Sequence, residues 1–169
     1  MTYQIRDVDS QCVPRVHHLN EQALPHVNSV PPGYFLKQVE NDSYFRAVWQ
    51  GTTVAAFLLA MDERADYDSP NFLWFRDRYP QFVYIDRVVV CSDHRRCGLG
   101  ASLYGDVTRW TRQRAPVLAC EVNLQPSNDA SLRFHERQGF AAVGVQDTEG
   151  GYKTVSLMIK ELDAEGPRP

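Results

Sequence analysis

Val88-Val89-Val90-Cys91-Ser92-Asp93-His94-Arg95-Arg96-Cys97-Gly98-Leu99-Gly100-Ala101 reads as a strand end, a polar loop and a helix start. Three successive valines suit a buried strand. From Gly98 onward, Leu99, Leu103, Val107 and Trp110 recur at helical spacing. Such a junction is an anion site. The first N–H groups of a helix have no internal partner, and the helix dipole favours negative charge beside them. Gly98 and Gly100 remove side chains that would hold a diphosphate away from those N–H groups, and Arg95 and Arg96 add positive charge. A dinucleotide fingerprint would need a third glycine where Leu103 stands, and a P-loop would need Gly-Lys-Ser/Thr, which is absent. What remains is Arg-x-x-Gly-x-Gly over residues 95–100.

Outward from this segment the pattern alternates. Residues 3–8 read as a strand, and Asp9 or Ser10 caps a helix carrying Cys12, Val13, Val16 and Leu19. Pro31-Pro32-Gly33 breaks the helical region over residues 28–33. Strands over 44–49 and 53–61 form a hairpin around Gln50-Gly51. Residues 62–80 read as an irregular, aromatic-rich connection, long enough to be a functional loop. A strand over 81–90 precedes the polar loop at 92–96 and the glycine-started helix; a strand over 116–123 follows. Pro126-Ser127-Asn128-Asp129 supplies caps for a helix through Arg137, ended by Gly139. A last hairpin pairs 140–146 with 152–159 around Gly150-Gly151. The order β-α-β-β-β-α-β-α-β-β predicts an α/β fold, one mixed sheet with helices on both faces. The strands flanking the glycine-started helix are expected to run parallel with a right-handed crossover. Residues 1–162 are read as one domain and 163–169 as a disordered tail.

At 169 residues, the chain can bury roughly 70% of its unfolded surface, enough for a core without staples. A net charge of -3 speaks against nucleic acid as a partner, since phosphate binding needs a dense basic face. The longest apolar run, residues 54–61, is far short of the roughly 20 that span a bilayer, so no membrane association is expected. Residues 1–10 show no signal-peptide pattern. Cys12, Cys91, Cys97 and Cys120 form no C-x-x-C pair and have no histidine at zinc-site spacing, so no metal is expected. Reduced thiols in the cytoplasm are the simplest reading. Dimerisation is left open.

The segment from Val88 to Ala101 resembles the acetyl-CoA-binding motif of the GNAT superfamily, the acyl-CoA-dependent N-acyltransferases. Downstream, Asn128-Asp129-Ala130-Ser131-Leu132-Arg133-Phe134-His135-Glu136-Arg137-Gln138-Gly139-Phe140 is similar to that family's second signature, a helix ending in Gly-Phe. The resemblance implies central parallel strands that splay into a V-shaped gap, and direct transfer of acetyl from acetyl-CoA to an amine. It implies that Val88, Val89 and Val90 line the pantetheine, with Val88 and Val90 offering backbone groups. It also implies that Arg95, Arg96, Cys97, Gly98, Leu99, Gly100 and Ala101 hold the diphosphate. Asn128 and Ser131 lie where family helices approach the pantetheine or thioester.

Direct transfer needs a neutral amine, and a lysine-like amine is almost wholly protonated at neutral pH, so a base helps. Asp86 sits where some members of the family carry a strand glutamate in that role; pairing with Arg87 is the structural alternative. Tyr84, two residues earlier on the same strand face, is a candidate for contacting the acceptor. Many members carry a tyrosine, a proton donor to the leaving thiolate, where this chain has His135. That histidine either donates the proton or merely hydrogen-bonds a carbonyl or the sulfur. Trp74 and Phe75 are candidates for lining an acceptor pocket, with ordinary core packing as the alternative. Two other classes stay open: a catalytically silent acyl-CoA-binding module, and an anion-binding protein unrelated to CoA. The acceptor, small molecule or peptide, is not named by the sequence.

Overall fold

The computed structural model describes residues 2–163, so the tail expected at 163–169 falls outside it except for Asp163. Strands β1 (Gln4–Asp7), β2 (Tyr44–Gln50), β3 (Thr53–Asp62), β4 (Val83–Val90), β5 (Val117–Gln125), β6 (Ala141–Thr148) and β7 (Lys153–Glu161) alternate with helices. The helices are α1 (Val13–Gln22), α2 (Pro32–Glu40), α3 (Pro70–Arg76), α4 (Leu99–Arg112) and α5 (Asp129–Arg137). The strands are hydrogen-bonded in the order β1-β2-β3-β4-β5-β7-β6. Two helices depart from the expected order: α2 lies where only a break was read, and α3 lies inside the stretch read as irregular. The chain divides into two compact units, Met1–Met61 with Ile85–Val107, and Asp62–Tyr84 with Thr108–Pro169.

In the first unit, β1 pairs antiparallel with β2, and β2 with β3 around the expected turn. Val13, Val16 and Leu19 of α1 are buried at i, i+3 and i+6, giving that helix one apolar face. Phe35 of α2 meets Phe45 and Phe57 at ring distances of 5.6 and 5.7 Å. Leu99, Leu103 and Val107 bury the α4 stripe expected from their spacing. The Tyr44 hydroxyl and Arg46 Nη1 both donate to Oδ2 of Asp106 at 2.7 Å, fastening β2 to α4.

In the second unit, β4 and β5 run parallel, as predicted for strands flanking a helix, with Val83 opposite Leu118 and Tyr84 opposite Ala119. β5 pairs antiparallel with β7, and β7 with β6. α3 is clamped to β6. Trp74 lies so close to Gly144 that a Cβ there would be 2.6 Å from Cζ2 of the indole. Arg78 covers the same indole at 3.9 Å, and Gln146 Nε2 donates to Asn71 Oδ1 at 2.9 Å. The glycine is needed here for close approach rather than for backbone freedom.

Candidate active site

The loop after β4 is built by backbone geometry. Cys91 N–H donates to Ala55 C=O at 2.8 Å, fixing the strand end. A 3-10 turn over Ser92–His94 follows, with Arg95 extended at φ -64 and ψ 153. Arg96 (φ 62) and Gly98 (φ 73) then take the left-handed conformation, and α4 begins at Leu99. Buried Leu99 anchors the helix start, and Ser102 N–H and Oγ both bond Gly98 C=O at 3.0 Å. Left-handed residues set among others turn successive N–H groups toward one concavity, an anion nest. Arg95, Arg96, Cys97 and Gly98 are exposed, and a Cβ on Gly98 would meet no atom within 4 Å. The residues present therefore fit a diphosphate: open space, unpaired helix N–H groups and two arginines, with no side chain at Gly98 in the way. Before the loop, Val89 is buried while Val88 and Val90 are half-buried.

Asp86 and Arg87, in the same unit, form a buried ion pair with side chains 4% and 7% exposed. Oδ2 of Asp86 accepts from Arg87 Nε at 2.7 Å and from the Tyr34 hydroxyl at 2.9 Å. Arg87 Nη1 donates to Asn20 Oδ1 at 3.0 Å and to Asn28 C=O at 3.1 Å. The guanidinium also stands over the Tyr34 and Phe35 rings. One side-chain pair on β4 thus gathers α1, α2 and the segment joining them.

Tyr84, fully buried in the second unit, donates its hydroxyl to Glu121 Oε2 at 2.6 Å. Glu121, the acceptor of that bond, is not among the residues singled out from the sequence. Its signal was a charged residue inside the apolar run Val117-Leu118-Ala119-Cys120 and Val122, where an ionised side chain needs a partner. It also pushes the thiol of Cys120 further up, beyond the larger effect of that thiol's complete burial. Phe75 is fully enclosed, with Trp74, Tyr79, Phe82 and Tyr84 around it at ring distances of 5.2–6.2 Å. Trp74 is held between Gly144 and Arg78. Both aromatics are engaged in packing within the unit.

At α5 the caps follow the sequence reading. The Asn128 side chain accepts from Ser131 N–H at 3.3 Å as the N-cap. The helix ends on Gly139 at φ 92, and Phe140 N–H returns to His135 C=O at 3.0 Å, a Schellman closure with Phe140 buried beneath it. That closure is the physical content of the Gly-Phe signature. His135, 5% exposed, lies between Phe134 and Phe140, with Nδ1 2.7 Å from Ser131 C=O. Burial holds its pKa below the ordinary value, and the bond to the carbonyl recovers part of the shift. Among the described residues, no group of three or more His, Cys, Asp or Glu could hold a metal. No helix among them is long and apolar enough to cross a membrane.

Residues 13–140 match the Acetyltransferase (GNAT) family. The chain belongs to that family of acetyltransferases. Three solved structures share its fold. The ribosomal-protein-S18-alanine N-acetyltransferase from Escherichia coli has a TM-score of 0.75 at 17% identity, covering 99% of each chain. NAA60 of Arabidopsis thaliana, in complex with a bisubstrate analogue, has 0.76 at 16%, covering 97% of this chain and 100% of that one. yncA from Salmonella typhimurium, with its cofactor acetyl-CoA, has 0.75 at 20%, covering 100% and 98%. No curated protein matches by sequence.

Proposed function

We propose that the protein transfers the acetyl group of acetyl-CoA directly to a primary amine. The observation that carries this reading is the loop at Arg95–Ala101. It presents a left-handed Arg96, a left-handed Gly98 and the start of a fourteen-residue helix to open space. Those N–H groups, with Arg95 and Arg96, hold the diphosphate. The backbone of Val88 and Val90 supports the pantetheine from the strand. On α5, Asn128 and Ser131 serve the arm or the thioester; Asn128 Oδ1 is spent on capping, so its amide N–H₂ is the group on offer. Acetyl-CoA supplies an activated acyl group, and the protein's task is to hold it, orient the amine and move one proton. Four free thiols suit the reducing cytoplasm, where we place the protein.

Asp86 already carries a guanidinium and a phenol hydrogen bond on one oxygen. That supports its part as the counter-ion that keeps Arg87 and the α1–α2 segment in place, and the proton is assigned to α5. Tyr84 and Glu121 form the second polar pair, with Glu121 half-buried and able to meet an amine acceptor.

The cofactor assignment is tested by thermal unfolding. At a hundred times its dissociation constant, acetyl-CoA should add about 2.7 kcal/mol to the stability of the fold. ADP, which carries the diphosphate without the pantetheine, should add less. An unfolding curve unmoved by saturating acetyl-CoA would overturn the assignment. Stabilisation without turnover on any amine would favour the silent acyl-CoA-binding reading.

A further inference from the structure

Tyr3 stands immediately before β1, yet its side chain reaches the loop that follows β4. Its hydroxyl lies 3.2 Å from Nδ1 of His94, and the two rings meet edge to face with centroids 5.9 Å apart. The same hydroxyl is hydrogen-bonded to the Cys97 thiol. That bond first, and burial second, hold the phenol's pKa above its ordinary value. A hydroxyl has one hydrogen and two lone pairs, so it serves both partners at once. All three residues belong to the first compact unit.

His94 and Cys97 bracket the two arginines of the loop. Arg96 has φ 62, a left-handed conformation that a residue with a Cβ keeps only where its surroundings hold it. Core packing does not hold it, because residues 95–98 are exposed. The loop's own bonds are few. His94 N–H donates to Cys91 C=O at 2.9 Å, Arg95 N–H to Ser92 C=O at 3.4 Å, and the Cys97 thiol to Arg95 C=O at 3.6 Å. Among the described residues, Tyr3 is the one hydrogen-bonding partner that residues 92–97 find outside the loop. Tyr3 is itself anchored, since Gln4 beside it pairs with Trp49 of β2. The loop is thus tied to a strand 91 residues away in sequence.

We propose that Tyr3 is a positioning residue for the acyl-CoA site. By holding His94 and Cys97 on either side of Arg96, its hydroxyl keeps the 95–101 loop in the form that receives the diphosphate. The inference rests on the reading of that loop given above. Tyr3 touches no part of the reaction. It acts through the loop, and the chain saves the diphosphate from having to order residues 95–97 as it binds.

Calorimetric titration of the full chain with acetyl-CoA and, separately, with ADP compares the wild type with Tyr3→Phe. That variant keeps the ring against His94 and removes only the hydroxyl. Both affinities should fall by about three- to tenfold, the size of one lost hydrogen bond, with the unliganded melting temperature unchanged. Turnover is then measured with the best primary amine of a panel of alkylamines, amino-acid amides and short peptides. KM for acetyl-CoA should rise by the same factor, while kcat and the KM for the amine hold. A protein carrying His94→Ala and Cys97→Ala should bind about as weakly as Tyr3→Phe. Adding Tyr3→Phe to it should then change nothing, because the hydroxyl has no partner left in the loop. Unchanged affinities in Tyr3→Phe, a full further loss in the double-alanine background, or a loss matched by a lower unliganded melting temperature would overturn the proposal and leave acetyl transfer intact. A wild type that binds neither acetyl-CoA nor ADP would instead overturn the diphosphate reading, and this inference with it.

Discussion

Arg87→Met is expected to lower the unfolding free energy by about 3–5 kcal/mol, because it leaves the Asp86 carboxylate buried without its counter-ion. For a chain of this length that corresponds to a fall in melting temperature of roughly 6–20 °C. The guanidinium also spends Nη1 on Asn20 and Asn28, so its loss frees polar groups on α1 and beyond it. Asp86→Asn keeps the shape and an oxygen for Tyr34 but removes the charge, and it should destabilise the fold as well. Replacing both members, as Asp86→Leu with Arg87→Met, should recover part of the loss, since the uncompensated charge disappears. Thermal unfolding of the two single variants and the double variant reads the coupling. The competing role for Asp86 as base makes another pattern. Asp86→Asn would keep wild-type stability and lose about a hundredfold in turnover near neutral pH, the deficit shrinking as pH rises and free amine accumulates.

Gly100→Val is expected to weaken acetyl-CoA binding about a hundredfold, roughly 2.7 kcal/mol, while the unliganded protein unfolds at nearly its normal temperature. Gly100 lies in the first turn of α4, half-buried. A valine there costs the helix nothing by propensity, because glycine is the poorer helix former by a few tenths of a kcal/mol. What it does is raise a branched side chain beside the N–H groups that the diphosphate needs. Calorimetric titration with acetyl-CoA and a melting curve without it separate the two effects. Unchanged affinity in a folded variant would place the diphosphate elsewhere.

The parts of this fold that could be read from sequence are those whose determinants lie close together along the chain. The loop at Arg95–Ala101 and helix α4 were legible because two glycines adjoin an apolar stripe of regular spacing. The end of α5 was legible because Gly139 and Phe140 build the closure with His135 within six residues. α2 and α3 were not, and for one reason in both. Pro32 and Pro70 sit at the first helical position, where a fixed φ prepares a helix and the missing N–H is not needed. Pro31-Pro32-Gly33 therefore opens a helix, α1 having already ended at Gln22, yet reads as a break. α3 has seven residues, two turns, too few to display a period among so many aromatics. The side-chain partners were out of reach for another reason. Tyr34 lies 52 residues from Asp86, and Glu121 lies 37 from Tyr84, separations that only the fold closes. Sequence analysis placed Tyr84 and Asp86 on one strand face but could not show that each hydroxyl and carboxylate already has a partner.

Transfer of acetyl from acetyl-CoA to a primary amine is tested by a product balance. The full chain is incubated with acetyl-CoA and the panel of alkylamines, amino-acid amides and short peptides. Released thiol is followed by colorimetry and the amine product by mass spectrometry. At least one amine class should give thiol and N-acetylated amine in equal amounts, well above the rate without protein. Thiol release no faster than hydrolysis with every amine, from a protein that binds acetyl-CoA, would contradict it.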